Sequence, residues 1–291
     1  MRSVMASSAR EERSIWKRSA IWASVSEIRT SGMASWSSPG VLARSVERSP
    51  IGASPITPKS LCRVAGMSVP IRVMVEHGKK KAVASAFDWP GWDRGGKSED
   101  DALVVLDTYR PRYAKVAELA RLADEFVATG KMEVVERVEG TGMTDFYGLS
   151  ARSAGPELEP MSEAECERKI ALLRACWAYF DDVASRVSAE LRKGPRGGGR
   201  DRDRIVRHTN GAEIVEFARK VGVFTAPDAW QNPTPEKLRA HRDAFCAAIR
   251  EYNARGASAR TWTVQFVIRR CAYHMLDHAW EMEDRDLSIG T

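Results

Sequence analysis

The spacing of apolar and polar residues changes several times along this chain, and each change predicts an element. From Ile71, the segments IRVMVEHG and KKAVASAFDWPGW are Val-rich and alternate, and they meet at His77-Gly78, which predicts an antiparallel hairpin. Ser98 precedes Glu99, Asp100 and Asp101, an N-cap with acidic residues in the first helical turn. Ala102, Leu103, Leu106, Tyr109 and Tyr113 follow at helical steps, with Pro111 placed to bend or break the helix. The run YAKVAELARLADEFVATG predicts a further helix ending at Gly130, and KMEVVERVEG a strand. Residues 68–150 are therefore expected to form a small α+β domain.

The loop SARSAGPELEP separates this unit from four helical segments expected within residues 161–287. The first opens at Ser162 with SEAE, the pattern of a capping box, and runs through Ile170, Leu173, Trp177, Phe180 and Val187 to the breaker GPRGGG. The second covers Asp201 to Val221. The third starts at Thr234-Pro235-Glu236 and carries Leu238, Phe245, Ile249 and Tyr252 before Gly256. The fourth is expected from near Ala259 to near Leu287. Four helices on short or moderate loops argue for an all-α four-helix bundle. By contrast, residues 1–66 hold fifteen serines and no sustained period. We read them as disordered, or as an extension from a start codon placed too far upstream, with Met67 the natural alternative.

Charge changes little in this picture. The formal +6 sits entirely in residues 1–66, where 10 Arg and Lys face 4 Asp and Glu. The neutral remainder gives little support to binding nucleic acid. A face built from Lys79 to Lys81, Arg72, Arg94 and Lys97 is the one local exception the sequence offers. No apolar run is long enough to predict a membrane span. Cys62, Cys166, Cys176, Cys246 and Cys271 are widely spaced, with no CxxC pair, and read as reduced thiols of a cytoplasmic protein.

The candidate chemistry lies in the histidines. Val264, Val267, Cys271, His274, His278 and Glu281 recur at three- and four-residue steps, which places both histidines on the apolar stripe of the last helix. Ile205, His208, Ala212 and Val215 form the corresponding stripe of the second helical segment. Three imidazoles aimed at one core suit a divalent metal, since buried uncharged histidines need partners. His241 shares a face with Leu238 and Phe245 and reads as a packed residue more readily than as a fourth ligand.

The segments RTWTVQFVIRRCAYHMLDHAWEMEDR and ELRKGPRGGGRDRDRIVRH together resemble the DinB-like superfamily of metal-binding four-helix bundles, over residues 161–287. That superfamily includes mycothiol- and bacillithiol-dependent transferases. The resemblance implies His208, His274 and His278 as metal ligands; imidazole suits zinc, nickel, copper or iron, and zinc or nickel is the ion expected. It further implies a thiol such as mycothiol, activated on the metal to attack an electrophilic small molecule. Glu281 would then orient a ligand or relay a proton. Arg269, Arg270 and Arg285 are candidates to bind carboxylates, although a solvated helix face is the plainer expectation for them. Bundles of this kind often pair, which makes a homodimer a candidate assembly.

The segment FDWPGWDRGGKSEDDALVVL, within residues 71–115, is similar to the HicB-like antitoxin fold. Asp88, Trp89 and Trp92 could form a recognition surface there, or the two aromatics could simply pack between hairpin and helix. A second functional expectation follows: a non-catalytic, metal-stabilised module that acts through the HicB-like domain.

Overall fold

The computed structural model describes residues 68–194, 199–226, 234–256 and 262–288. The readings made for residues 1–66, for most of GPRGGG and for a helix start at Ala259 lie outside them. The alternating Val-rich run forms β1 (Val69–His77), which pairs antiparallel with β2 (Ala82–Ser85). Gly78 N donates to Lys81 O at 2.8 Å in the turn between them. β2 pairs antiparallel with β3 (Asp93–Gly96), whose sequence DRGG gave no strand signal. β4 (Thr129–Glu139) runs parallel to β1 on its other side, so the four strands are ordered β3-β2-β1-β4 among the described residues.

Parallel neighbours need a crossover, and helices supply part of it. In α1 (Glu99–Thr108) the Ser98 side chain accepts from Asp101 N at 3.1 Å, satisfying an otherwise unpaired donor. α2 (Arg110–Leu119) begins with Pro111 in its first turn, where a missing N–H costs least. The single helix expected through YAKVAELARLADEFVATG is instead two. Arg121 is left-handed at φ 60°, which ends α2 and starts α3 (Ala123–Val127), and Gly130 belongs to β4 rather than marking a stop. A short helix not expected from the sequence, α4 (Gly142–Tyr147), is held by a capping box between Thr141 and Thr144.

SARSAGPELEP is more than a spacer, because a 3₁₀ turn at Gly155–Leu158 buries Glu157. Beyond it the long helices are α5 (Glu163–Arg186), α6 (Arg202–Ala212), α7 (Pro235–Ala254) and α8 (Val264–Asp284). Ser162, Thr234 and Thr263 cap α5, α7 and α8 by accepting backbone N–H groups. α6 continues into a π-helical stretch, Glu213–Phe217, and a last turn, Ala218–Lys220. The architecture is thus mixed α+β.

One apolar core joins sheet and helices, from Ile71, Val73 and Val75 through Trp92 and Tyr113 to Phe180, Phe245 and Leu276. Residues Gly66–Thr291 accordingly form one compact unit. Trp92 stacks on Tyr113 with ring centroids 5.2 Å apart, and Trp89 meets Phe126 edge-on at 4.9 Å, so both tryptophans are packing residues. Gly91, at φ +94°, lies against α8 so closely that a Cβ would stand 2.9 Å from Leu276 Cδ1 and 3.0 Å from the Ala272 carbonyl carbon.

The solvated face expected for Arg269 and Arg270 is corrected here, since they are 0% and 3% exposed. Arg269 donates to Glu157 Oε1 and Oε2 at 2.7 and 2.9 Å and to Asp93 Oδ2 at 3.1 Å. Its remaining donors reach Ser85, Ser150 and the Arg152 carbonyl. Alternation along a helix reports burial but not what the facing elements carry, and here β3 and the 3₁₀ turn each bring a buried acid, Asp93 and Glu157. Arg94 is likewise withdrawn from any basic surface. Its guanidinium lies 3.8 Å from the Tyr109 ring centre and 4.3 Å from that of Trp280, with Asp277 at 3.0 Å.

Candidate metal centre

Two elements build the centre. On α8, His274 and His278 are one turn apart, and their ring centres lie 4.7 Å from one another. α6 contributes His208, whose ring centre is 5.1 Å from each of the others. One nitrogen from each ring can be chosen so that all three lie within 4.8 Å of one another, and all three residues are partly buried. No other group of His, Cys, Asp and Glu among the described residues meets that condition. The three sequence-predicted ligands therefore converge. His241 stands apart, with Nδ1 2.7 Å from Thr225 Oγ1 and Nε2 3.6 Å from Glu213.

The geometry fits a metal. His208 Nε2 and His274 Nε2 are 3.3 Å apart. Two nitrogens each about 2.05 Å from a tetrahedral zinc would be separated by about 3.3 Å. Electrostatics favour the uncharged form of two of the rings: burial, aided by Arg200, pushes His208 down to about 3. Burial also holds His274 well below the usual imidazole range, with the neighbouring histidines adding to the effect. Neutral imidazole is the ligating form.

Around the rings, Glu281 Oε2 lies 2.8 Å from His278 Nδ1, the arrangement by which a carboxylate fixes the orientation of a ligating histidine. Burial alone would raise Glu281, but its bond to His278, with Arg285 and Arg200 nearby, leaves it below the ordinary value. Arg285 Nη1 is 2.7 Å from the other oxygen of Glu281, so this arginine meets the histidines only through the carboxylate. Phe217, at the end of the π-helical stretch, closes one side with its ring centre 5.6 Å from that of His274.

Sequence reasoning passed over two neighbours. Arg200 is a half-buried cation near His208 and Glu281. Gly199, at φ +137°, lets the chain pass so close to Arg285 that a Cβ would stand 3.0 Å from its Nη1. Gly199 ends the breaker GPRGGG and Arg200 follows it directly, eight residues before His208.

No protein-family model, no curated protein and no solved structure matches the chain. No helix among the described residues is long and apolar enough to cross a membrane.

Proposed function

We propose that residues 161–287 are a DinB-like bundle that binds one divalent metal ion, zinc or nickel, on His208, His274 and His278. We further propose that it serves transfer of a low-molecular-weight thiol, such as mycothiol, to an electrophilic small molecule. The observation that carries this reading is the convergence of three imidazoles from two helices, one of them already oriented by a carboxylate. Three protein ligands leave a tetrahedral ion at least one position for an exchangeable partner. When bound, such an ion lowers the pKa of a coordinated thiol and supplies a nucleophile at neutral pH.

The chain's own residues divide the remaining work. Glu281 keeps His278 Nδ1 protonated and its ring fixed, and Arg285 steadies that carboxylate from its other oxygen. Arg200 adds positive charge beside the rings and favours an anionic thiol or substrate.

Metal content per chain, measured by mass spectrometry on tag-free protein, tests the ligand set. About one equivalent is expected in wild type, lost in both His208→Ala and His274→Ala. Wild-type protein without metal would overturn the proposal. Metal-loaded protein that leaves thiols and electrophiles unreacted would favour the non-catalytic module, in which the ion stabilises the helices and the HicB-like part binds a partner.

A further inference from the structure

A second site lies away from the histidines, in a cavity of about 170 Å³ between β1, the loop after β2, the 3₁₀ turn and the first turns of α5 and α8. Phe87, Lys169 and Gln265 form its buried floor, while Arg72, Glu159 and the partly exposed Glu165 stand at its rim. A lysine in that position is unusual, because its ammonium is strongly hydrated in water and its side chain here is only 2% exposed.

The amine is held in a fixed place. Lys169 Nζ donates to Gln265 Oε1 in a short hydrogen bond. The amide is set by its other end, where Gln265 Nε2 donates to the carbonyls of Pro156 and Glu159 at 3.2 and 2.7 Å. Glu165 Oε1 is 3.5 Å from the amine, one turn earlier on the same helix. Arg72 is occupied by a two-point ion pair with Asp88 at 2.8 and 2.6 Å. The rim therefore keeps Glu159 and Glu165 against one already neutralised cation, an environment that repels carboxylate-bearing ligands.

We propose that this cavity is an amine-nucleophile site, in which Lys169 captures small uncharged aldehydes as a Schiff base. Burial lowers the lysine from its ordinary value, against the opposing pull of Glu165, Glu157 and Asp88, which increases the share of free amine. The Nζ lone pair attacks the carbonyl carbon, and the carbonyl π electrons move to oxygen, which takes a proton. The carbinolamine then loses that oxygen as water while the C=N bond forms. One aldehyde and one amine thus give one imine and one water, with no oxidant or reductant. Glu165 is placed to accept the proton leaving nitrogen and return one to the departing hydroxyl.

The test is reductive trapping on the full-length protein, with glycolaldehyde as the probe, cyanoborohydride as the trap and peptide mass mapping as the readout at neutral pH. More adduct is expected on Lys169 than on exposed lysines such as Lys79 or Lys80, and the preference should disappear in urea. Glu165→Gln should slow trapping at Lys169 and leave the exposed lysines unchanged. Labelling that follows exposure, with Lys169 protected, would overturn the proposal and leave the lysine as a packed structural cation. The readout involves neither the histidines nor a metal, so its outcome is separate from that of the metal proposal.

Discussion

Replacing Arg269 by methionine keeps most of the side-chain volume and removes a cation that two fully buried carboxylates share. Asp93 and Glu157 are 0% and 1% exposed and have no route to water. Removing one partner of a buried ion pair typically costs about 3–5 kcal/mol, because the other charge is left without compensation. Ser85, Ser150 and the Arg152 carbonyl lose bonds as well, which places this variant toward the upper end. With a urea slope of roughly 3 kcal/mol per M, the unfolding midpoint should fall by about 1.3–1.7 M. Fluorescence of the buried Trp92 and Trp280 follows the transition. Burial already raises Asp93, and without Arg269 it would rise further. The folded state would then hold a proton that the unfolded state releases, so the penalty should be larger at pH 8 than at pH 5. Adding Glu157→Gln removes one stranded charge and should recover part of the loss. A midpoint shift under about 0.3 M for Arg269→Met, or no difference between the two pH values, would refute this reasoning.

The centre and the π-helical stretch yield two more expectations. Glu281→Gln should weaken metal binding about 10–100-fold by chelator competition while leaving the stoichiometry intact, and an unchanged affinity would remove Glu281 from the site. Burial raises Glu213 to about 7 despite Arg242, so the native state binds more protons than the unfolded chain between about pH 4.5 and 7. The Glu213 contribution to stability therefore falls by up to about 1.4 kcal/mol per pH unit as pH rises through that window, opposite in sign to that of the buried neutral histidines, so the stability difference between wild type and Glu213→Gln should change with that slope in denaturation curves taken at several pH values.

Much of this was legible in the sequence where short-range chemistry decides the outcome. Ser98, Ser162 and Thr234 announce helix starts because a cap is a contact between near neighbours in the chain. The three histidines were visible because each sits on an apolar stripe, and periodicity reports which face turns inward. What stayed hidden depends on distant partners. DRGG becomes β3 only because β2 offers an edge, and its Asp93 is buried because Arg269 meets it. The same arginine looks like a surface residue when read alone on its helix. Arg121 broke a helix whose composition favours continuation, and nothing in its local spacing signals a left-handed residue.

The Arg269 pairings also bear on the order in which the chain can finish folding during synthesis. Asp93 and Glu157 leave the ribosome 176 and 112 residues ahead of the arginine that neutralises them. Until α8 emerges, β3 and the 3₁₀ turn cannot bury these acids without desolvating unpaired charge, and the floor beneath Gly91 is missing as well. The nascent sheet should therefore stay open, and its exposed strand edges would be the part of the unfinished chain most in need of a chaperone. On this view α8 acts as the closing piece of the fold, and it arrives with both of its metal-facing histidines.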